Sequence, residues 1–337
     1  MLNVAAIDVG SNAMRMVVGA VNESWQVSAL ENVRLPVRLG QDVFSKGLLE
    51  EKTIQQTEEA FLRFKHVARS FDVQRMRAVA TSAVREARNR DSLLDRVQRI
   101  SGIEIEVISG EEEARLIHLA VVRKLRLKNK CGGPRDKRST IAPHASDGNP
   151  VDKPTLLVDI GGGSVEVTIS TGRNIISTDS YGIGTVRLLE RLDSDHTSRR
   201  HFGRLVHQYV EAARARIQRD LGDQKIQICA GTGGNVEEIG RLRQKLFKAE
   251  SDRCVTLKEL EMLIERLDRM SYEERMHRFK LRADRADVIL PAAVVLHMIA
   301  REAGVKHIAI PNVGLKDGLL LDIAGDLSGS LHLRRMN

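Results

Sequence analysis

Short apolar runs separated by a small polar turn open this chain, and the same device returns half a chain later. Residues 4–9 (VAAIDV) and 14–20 (MRMVVGA) predict two strands joined by the turn GSNA. Residues 156–160 and 165–170 predict a second such pair around GGGS. In both copies the next-to-last residue of the first run is an aspartate, Asp8 or Asp159. After the first copy, Ile54, Phe61, Phe64 and Ala68 recur at helical spacing and predict an amphipathic helix over roughly 50–70. "MRAVATSAV" predicts a buried strand running into a helix whose polar face carries Arg85, Glu86 and Asn89. "GIEIEVIS" alternates through Ile103, Ile105 and Val107. It leads into "GEEEARLIHLAVV", a helix opened by acidic residues at the positive end of its dipole.

The second half follows the same logic. It predicts a strand at 226–230, helices near 200–219 and 257–268, and an apolar helix around 288–302. "HIAIPNVGLKDGLLLDIAG" adds a late strand, a glycine turn and a closing helix. Two copies of strand-turn-strand, each followed by strands alternating with helices, predict two α/β domains of related fold with a ligand cleft between them. The expected division is a first domain over 1–125, a linker or insertion over 126–154, a second domain over 155–313, and a C-terminal helix and tail over 314–337 that could return to the first domain. The insertion is distinctive: Arg123 to Arg138 holds eight Lys or Arg and one Asp, and Pro143, Pro150 and Pro154 follow with little apolar content. Such composition predicts a surface loop or linker, and a flexible Lys/Arg tract would also collect a polyanion.

Composition narrows the ligand class. The 337 residues carry 53 Lys and Arg against 45 Asp and Glu, a formal net charge of +8 that attracts polyanions of any kind. Aromatics are only 3% of the chain, which argues against stacking on nucleobases and makes nucleic acid a poor partner. Cys131, Cys229 and Cys254 are odd in number and unpatterned, as expected in a reducing cytoplasm rather than a disulfide framework or zinc site. The ten histidines show no ligand spacing. No secretory n-region and no run near 18 apolar residues is present, so a cytoplasmic location away from membranes is expected.

Each opening turn also has a chemistry. Small residues in a tight turn let backbone N–H groups converge on an anion, and a serine hydroxyl adds a donor. An aspartate near the end of the preceding strand can hold hydrated Mg²⁺ or orient a water. One copy alone is equally explained as a hairpin turn; two copies opening two α/β halves suit a phosphate chain held from both sides.

The ordered motifs "DVGSNAMRM", "ATSAVREARN", "VISGEEEARLIHLAV", "VDIGGGSVE", "YGIGTVRL" and "GTGGNVEEIG" resemble the exopolyphosphatase/guanosine pentaphosphatase (Ppx/GppA) family of the actin-like ATPase superfamily. The resemblance runs from Asp8 to "GLKDG" at 314–318. It implies two actin-like (ribonuclease H-like) α/β domains, a Mg²⁺ cofactor with Mn²⁺ as a substitute, and a homodimer as in many relatives. It implies hydrolysis of inorganic polyphosphate, or of the 5′ γ-phosphate of guanosine pentaphosphate. Glu113 stands at the position of the water-activating base, where the bland alternative is a solvated helix start. Asp159 and Glu166 match metal-binding positions, with Asp8 as a further candidate; turn chemistry and surface charge are the alternatives. Gly10, Ser11, Asn12 and Arg15 form the first phosphate loop and Gly161, Gly162, Gly163 and Ser164 the second. Arg85 either forks onto phosphate or pairs with Asn89 on a helix surface. Gly231, Gly233 and Gly234 of "GTGGN" resemble a loop contacting nucleotide or distal phosphate.

Two departures set an expectation of weakened activity. Ala13 and Val165 stand where the family usually has Ser and Thr, and a hydrogen bond to a charged oxygen is worth about 1.5–3 kcal/mol. Each loss implies roughly a ten- to hundredfold cost if that hydroxyl touched substrate. The alternative function is a catalytically weak regulatory protein that binds polyphosphate or an alarmone. A kinase of the same superfamily would need an acceptor pocket that no motif supplies.

Overall fold

The structure, a computed structural model, describes residues 1–130, 153–194, 199–223 and 225–335. The chain begins with β1 (Leu2–Val9), β2 (Met14–Val21), β3 (Val27–Leu35), α1 (Leu39–Lys46), α2 (Glu51–Ser70) and β4 (Arg75–Ala80). Next come α3 (Ser82–Glu86), α4 (Arg90–Ser101), β5 (Ile105–Val107) and α5 (Gly110–Lys130). After these follow β6 (Pro154–Ile160), β7 (Val165–Thr171), β8 (Asn174–Tyr181), α6 (Thr185–Ser194), α7 (Arg199–Leu221), β9 (Ile228–Thr232) and α8 (Gly234–Phe247). The remainder is β10 (Cys254–Thr256), α9 (Leu257–Asp268), α10 (Tyr272–Phe279), α11 (Ala283–Ala286), α12 (Ile289–Glu302), β11 (His307–Ala309) and α13 (Leu315–Arg335). Two compact units result: Met1–Ala120 with Gly314–Asn337, and Val121–Val313. The division falls inside α5, and α13 belongs to the first unit. Of the expected basic insertion over 126–154, residues 131–152 lie outside the described residues.

The first unit is built on a sheet ordered β3-β2-β1-β4-β5. Strand alternation sends Ala5, Ile7 and Val9 of β1 and Met14, Met16 and Val18 of β2 into one core with Phe61 and Phe64 of α2 and Leu93 and Val97 of α4. The two Phe rings meet edge to face at 5.8 Å, a geometry aromatic pairs favour. The other face, with Val4, Ala6 and Val17 fully buried, is covered by α13. There Gly318 lets α13 touch α5 backbone to backbone, because a Cβ would stand 1.9 Å from the Leu116 carbonyl oxygen.

The second unit repeats the frame. Its sheet is ordered β10-β11-β9-β6-β7-β8. Read from β8, the first five strands follow the order of the first unit, and β10 is added antiparallel to β11. Even the irregularities match: the register shifts at Val18/Gly19 in β2 and at Ile169/Ser170 in β7, each at the same distance along its strand. Leu156, Val158 and Ile160 of β6 and Val165, Val167 and Ile169 of β7 enter a core filled by α8, α9 and the almost wholly apolar α12.

Several elements were not predicted by the sequence pattern. The edge strands β3 and β8 have few buried residues, so neither carries a clean two-residue alternation. The helix expected to continue through Asn89 ends at Glu86, because Ala87 is extended (φ −65°, ψ 126°). Asn89 instead brackets the Leu49 backbone, its Oδ1 accepting from N–H and its Nδ2 donating to C=O, both at 2.9 Å. That break separates Asn89 from Arg85, whose guanidinium takes a different partner. Among the described residues no helix is long and apolar enough to cross a membrane.

Candidate active site

In the second unit, the loop Gly161–Ser164 is fixed from one side. The Gly161 carbonyl accepts from Thr185 N–H at 3.1 Å, and the Gly162 carbonyl from Val186 and Arg187 N–H at 2.8 and 3.1 Å. The Gly163 carbonyl accepts from Gly184 N–H at 3.2 Å and from Arg187 Nε at 2.8 Å. The three carbonyls are thus bound by the start of α6. In a trans peptide the following N–H points the opposite way, so the N–H groups of Gly162, Gly163 and Ser164 turn away from α6. That is the arrangement an anion-binding turn requires. The close approach depends on Gly184, where a Cβ would fall 2.3 Å from Gly163 backbone atoms.

Beside this loop a row of four residues crosses the sheet. Thr232 of β9 is in register with Asp159 of β6, Asp159 with Glu166 of β7, and Glu166 with Ser180 of β8. Asp159 and Glu166 are 7% and 1% exposed, and each has an oxygen within 4.8 Å of one on the other. Like charges directly opposed across strands are unfavourable, more so when buried. A hard divalent cation relieves that conflict, and two carboxylates with oxygens this close fit Mg²⁺ or Mn²⁺. Ser180 Oγ donates to Glu166 Oε1 at 2.8 Å, and Thr232 Oγ1 donates to Asp159 Oδ1.

The "GTGGN" glycines have packing reasons of their own. A Cβ at Gly231 would meet Val236 at 2.9 Å, and one at Gly233 (φ 99°) would meet the Ile160 carbonyl oxygen at 2.5 Å. Gly234 opens α8. The next residue, Asn235, accepts from buried Arg285 at 2.5 Å and donates to Thr185 Oγ1 at 3.3 Å. Val165 belongs to the apolar core, so its side chain leaves the sheet on the face opposite Glu166.

In the first unit, the loop Gly10–Ala13 is held by fewer bonds. The Ser11 carbonyl accepts from Gly40 N–H at 2.8 Å, and the Ser11 and Ser82 hydroxyls share a 3.0 Å bond. Gly40 is needed at the start of α1, since a Cβ would stand 3.0 Å from both Ser11 Cβ and O. Asp8 is in register with Arg15 of β2, and Arg15 with Arg34 of β3. Burial pushes the Asp8 carboxyl up, while Arg15 and Lys316 pull it down and Asp317 raises it. Lys316 Nζ in turn contacts Asp317 Oδ1 at 3.0 Å.

The three glutamates at the start of α5 differ in setting. Glu111 is exposed. Glu112 pairs with Arg115 at 2.7 Å, which holds its carboxyl below the usual range. Glu113 is buried at 7% exposure, with Arg85 Nη1 at 3.9 Å from its Oε2. Arg85 is itself steered by a 2.6 Å bond from Nη1 to the Ile108 carbonyl. Sequence reasoning singled out Glu113 and Arg85 but missed Gly184, Arg187, Thr232, Ser180, Gly40 and Ser82. "YGIGTVRL" carried the resemblance, yet nothing in it announced a clasp for another loop.

Two α/β units sharing one strand order, each opening on a strand-turn-strand device, define an actin-like ATPase-type fold. The chain belongs to the Ppx/GppA phosphatase family, whose model matches residues 17–133 and 132–327. Among solved structures it is similar to an exopolyphosphatase from Cytophaga hutchinsonii, at 22% identity and TM-score 0.81 over 96% of this chain and 98% of that one. It is likewise similar to the Aquifex aeolicus Ppx/GppA family member, at 24% identity and TM-score 0.74 over 96% and 98%. An exopolyphosphatase-like protein matches at 25% identity and TM-score 0.76 over 97% and 98%. Family membership makes the chain a phosphatase-type hydrolase.

Proposed function

We propose that this protein is a Mg²⁺-dependent phosphohydrolase releasing terminal phosphate from inorganic polyphosphate, the 5′ γ-phosphate of guanosine pentaphosphate, or both. The observation that carries the reading is the buried, directly opposed Asp159–Glu166 pair beside a loop whose N–H groups turn outward together. Asp159 and Glu166 would hold the metal, which when bound neutralises phosphate charge. Gly161–Ser164 and Gly10–Asn12, with Arg15 and Arg85, would orient the phosphates through backbone N–H and guanidinium donors. Glu113 accepts a proton from water as its oxygen attacks the terminal phosphorus. The P–O bond to the leaving phosphate breaks, and that phosphate departs with the bonding pair.

The test supplies Mg²⁺ with long polyphosphate, short polyphosphate, guanosine pentaphosphate and ATP, and measures released phosphate. Release from polyphosphate or the pentaphosphate, and its loss in Glu113→Gln, is expected. Absence of release from every substrate, with binding retained, would establish the regulatory alternative. Ala13 favours that alternative, whereas Val165, turned into the core, does not bear on substrate.

A further inference from the structure

We propose that Ser180 and Thr232 are positioning residues that aim the Asp159–Glu166 pair at a shared divalent cation; the inference deepens the proposed phosphohydrolase reading and rests on it. The argument begins with the strand order β9-β6-β7-β8. Thr232 lies outside Asp159 and Ser180 lies outside Glu166, all four in one register row. Each hydroxyl donates to one carboxylate oxygen, Asp159 Oδ1 and Glu166 Oε1. Because the donors come from the two outer strands, they hold each carboxylate from its outer side. On this proposal the second oxygens are the ones offered to the cation, in keeping with an Asp159 oxygen and a Glu166 oxygen that lie within 4.8 Å of each other. Hydroxyl donors to carboxylates fix rotation as well as adding energy, and such supporting groups govern metal affinity.

The first unit supplies an internal control. Its corresponding row reads Val79, Asp8, Arg15, Arg34 across β4, β1, β2 and β3. Where the second unit has two carboxylates, this row has an Asp–Arg pair, and neither flanking position carries a hydroxyl. The hydroxyls thus accompany the acid pair rather than the strand frame. Their settings also differ usefully. Thr232 is 2% exposed, whereas Ser180 is exposed on an edge strand, so its Oγ can be removed without opening a core cavity.

The deciding experiment titrates the full chain with Mn²⁺, followed by electron paramagnetic resonance of the free ion, alongside thermal unfolding and phosphate release. Ser180→Ala is expected to unfold at the wild-type temperature and to weaken Mn²⁺ binding about ten- to hundredfold. Ser180→Thr, which keeps the hydroxyl, restores affinity. Thr232→Val weakens binding similarly, and Thr232→Ser rescues it. In Ser180→Ala, phosphate release recovers toward the wild-type kcat as Mg²⁺ is raised, so the metal requirement shifts rather than the chemistry. Wild-type Mn²⁺ affinity in Ser180→Ala, or no Mn²⁺ binding by the wild type, overturns the proposal. If the wild type binds Mn²⁺ and Ser180→Ala binds it more weakly, yet neither releases phosphate, the positioning role stands and the hydrolase reading fails.

Discussion

The two strand-turn-strand devices share a frame but differ in charge. In the first unit Asp8 faces Arg15, and Arg15 faces Arg34; in the second Asp159 faces Glu166. The spacing between paired positions is the same, since 15 − 8 and 166 − 159 both give 7. One duplicated scaffold therefore carries a charge-compensated row with surplus guanidinium in one unit and an acid pair in the other. Surplus guanidinium attracts anions, and an acid pair attracts cations. The loops differ as well: Ser11 is clasped mainly through one backbone carbonyl, whereas all three glycine carbonyls of 161–163 are bound. The strand order is shared, while the side chains along the row differ in charge.

Removing the charge difference should have the largest effect. Glu166→Arg gives the second unit the pairing of the first, and phosphate release should fall by about 10²–10⁴-fold with loss of Mn²⁺ binding. Initial rates and a Mn²⁺ titration decide it; undiminished turnover would mean the acid pair is not the cation site. The loop difference is addressed by matched glycine substitutions. Gly184→Ala should cost about 1–3 kcal/mol in urea unfolding, because its neighbours at 2.3 Å are backbone atoms. Gly40→Ala should cost less, since its nearest contact, at 2.6 Å, is the end of the Phe44 ring. Equal costs would remove the contrast between the two clasps.

A smaller effect is expected at Arg187. Arg187→Met removes the side-chain donor to Gly163 while leaving the α6 backbone bonds, so phosphate release should drop about tenfold with little change in unfolding. Smallest in activity is Val165→Thr, which restores the residue usual in the family. The hydroxyl would enter the core, costing about 1–3 kcal/mol of stability with no gain in rate. A rate increase would show that position 165 reaches substrate after all.

These contrasts mark what could be read from sequence. The paired openings were legible because β1, β2, β6 and β7 are buried runs ending at small-residue turns. Strands β3 and β8 were not, since edge strands lack a continuous apolar stripe. Ser180 was invisible for the same reason: its importance comes from register with Glu166, and register follows from pairing partners rather than local composition. Gly184 and Gly40 were hidden because close approach between backbones leaves no local periodicity. The cost expected at Val165 was conditional on its missing hydroxyl touching substrate, and the place of Val165 one residue before Glu166 on a strand puts it on the opposite face, in the core.

The closing helix has a consequence for how the molecule is made. α13 covers the first unit's sheet and meets α5 at Gly318, yet it follows all of residues 121–313 in the chain. On the ribosome the first unit therefore waits, its Val4, Ala6 and Val17 face uncovered, until the second has been synthesised. Domains generally fold as units during synthesis, so the half translated first is the half completed last.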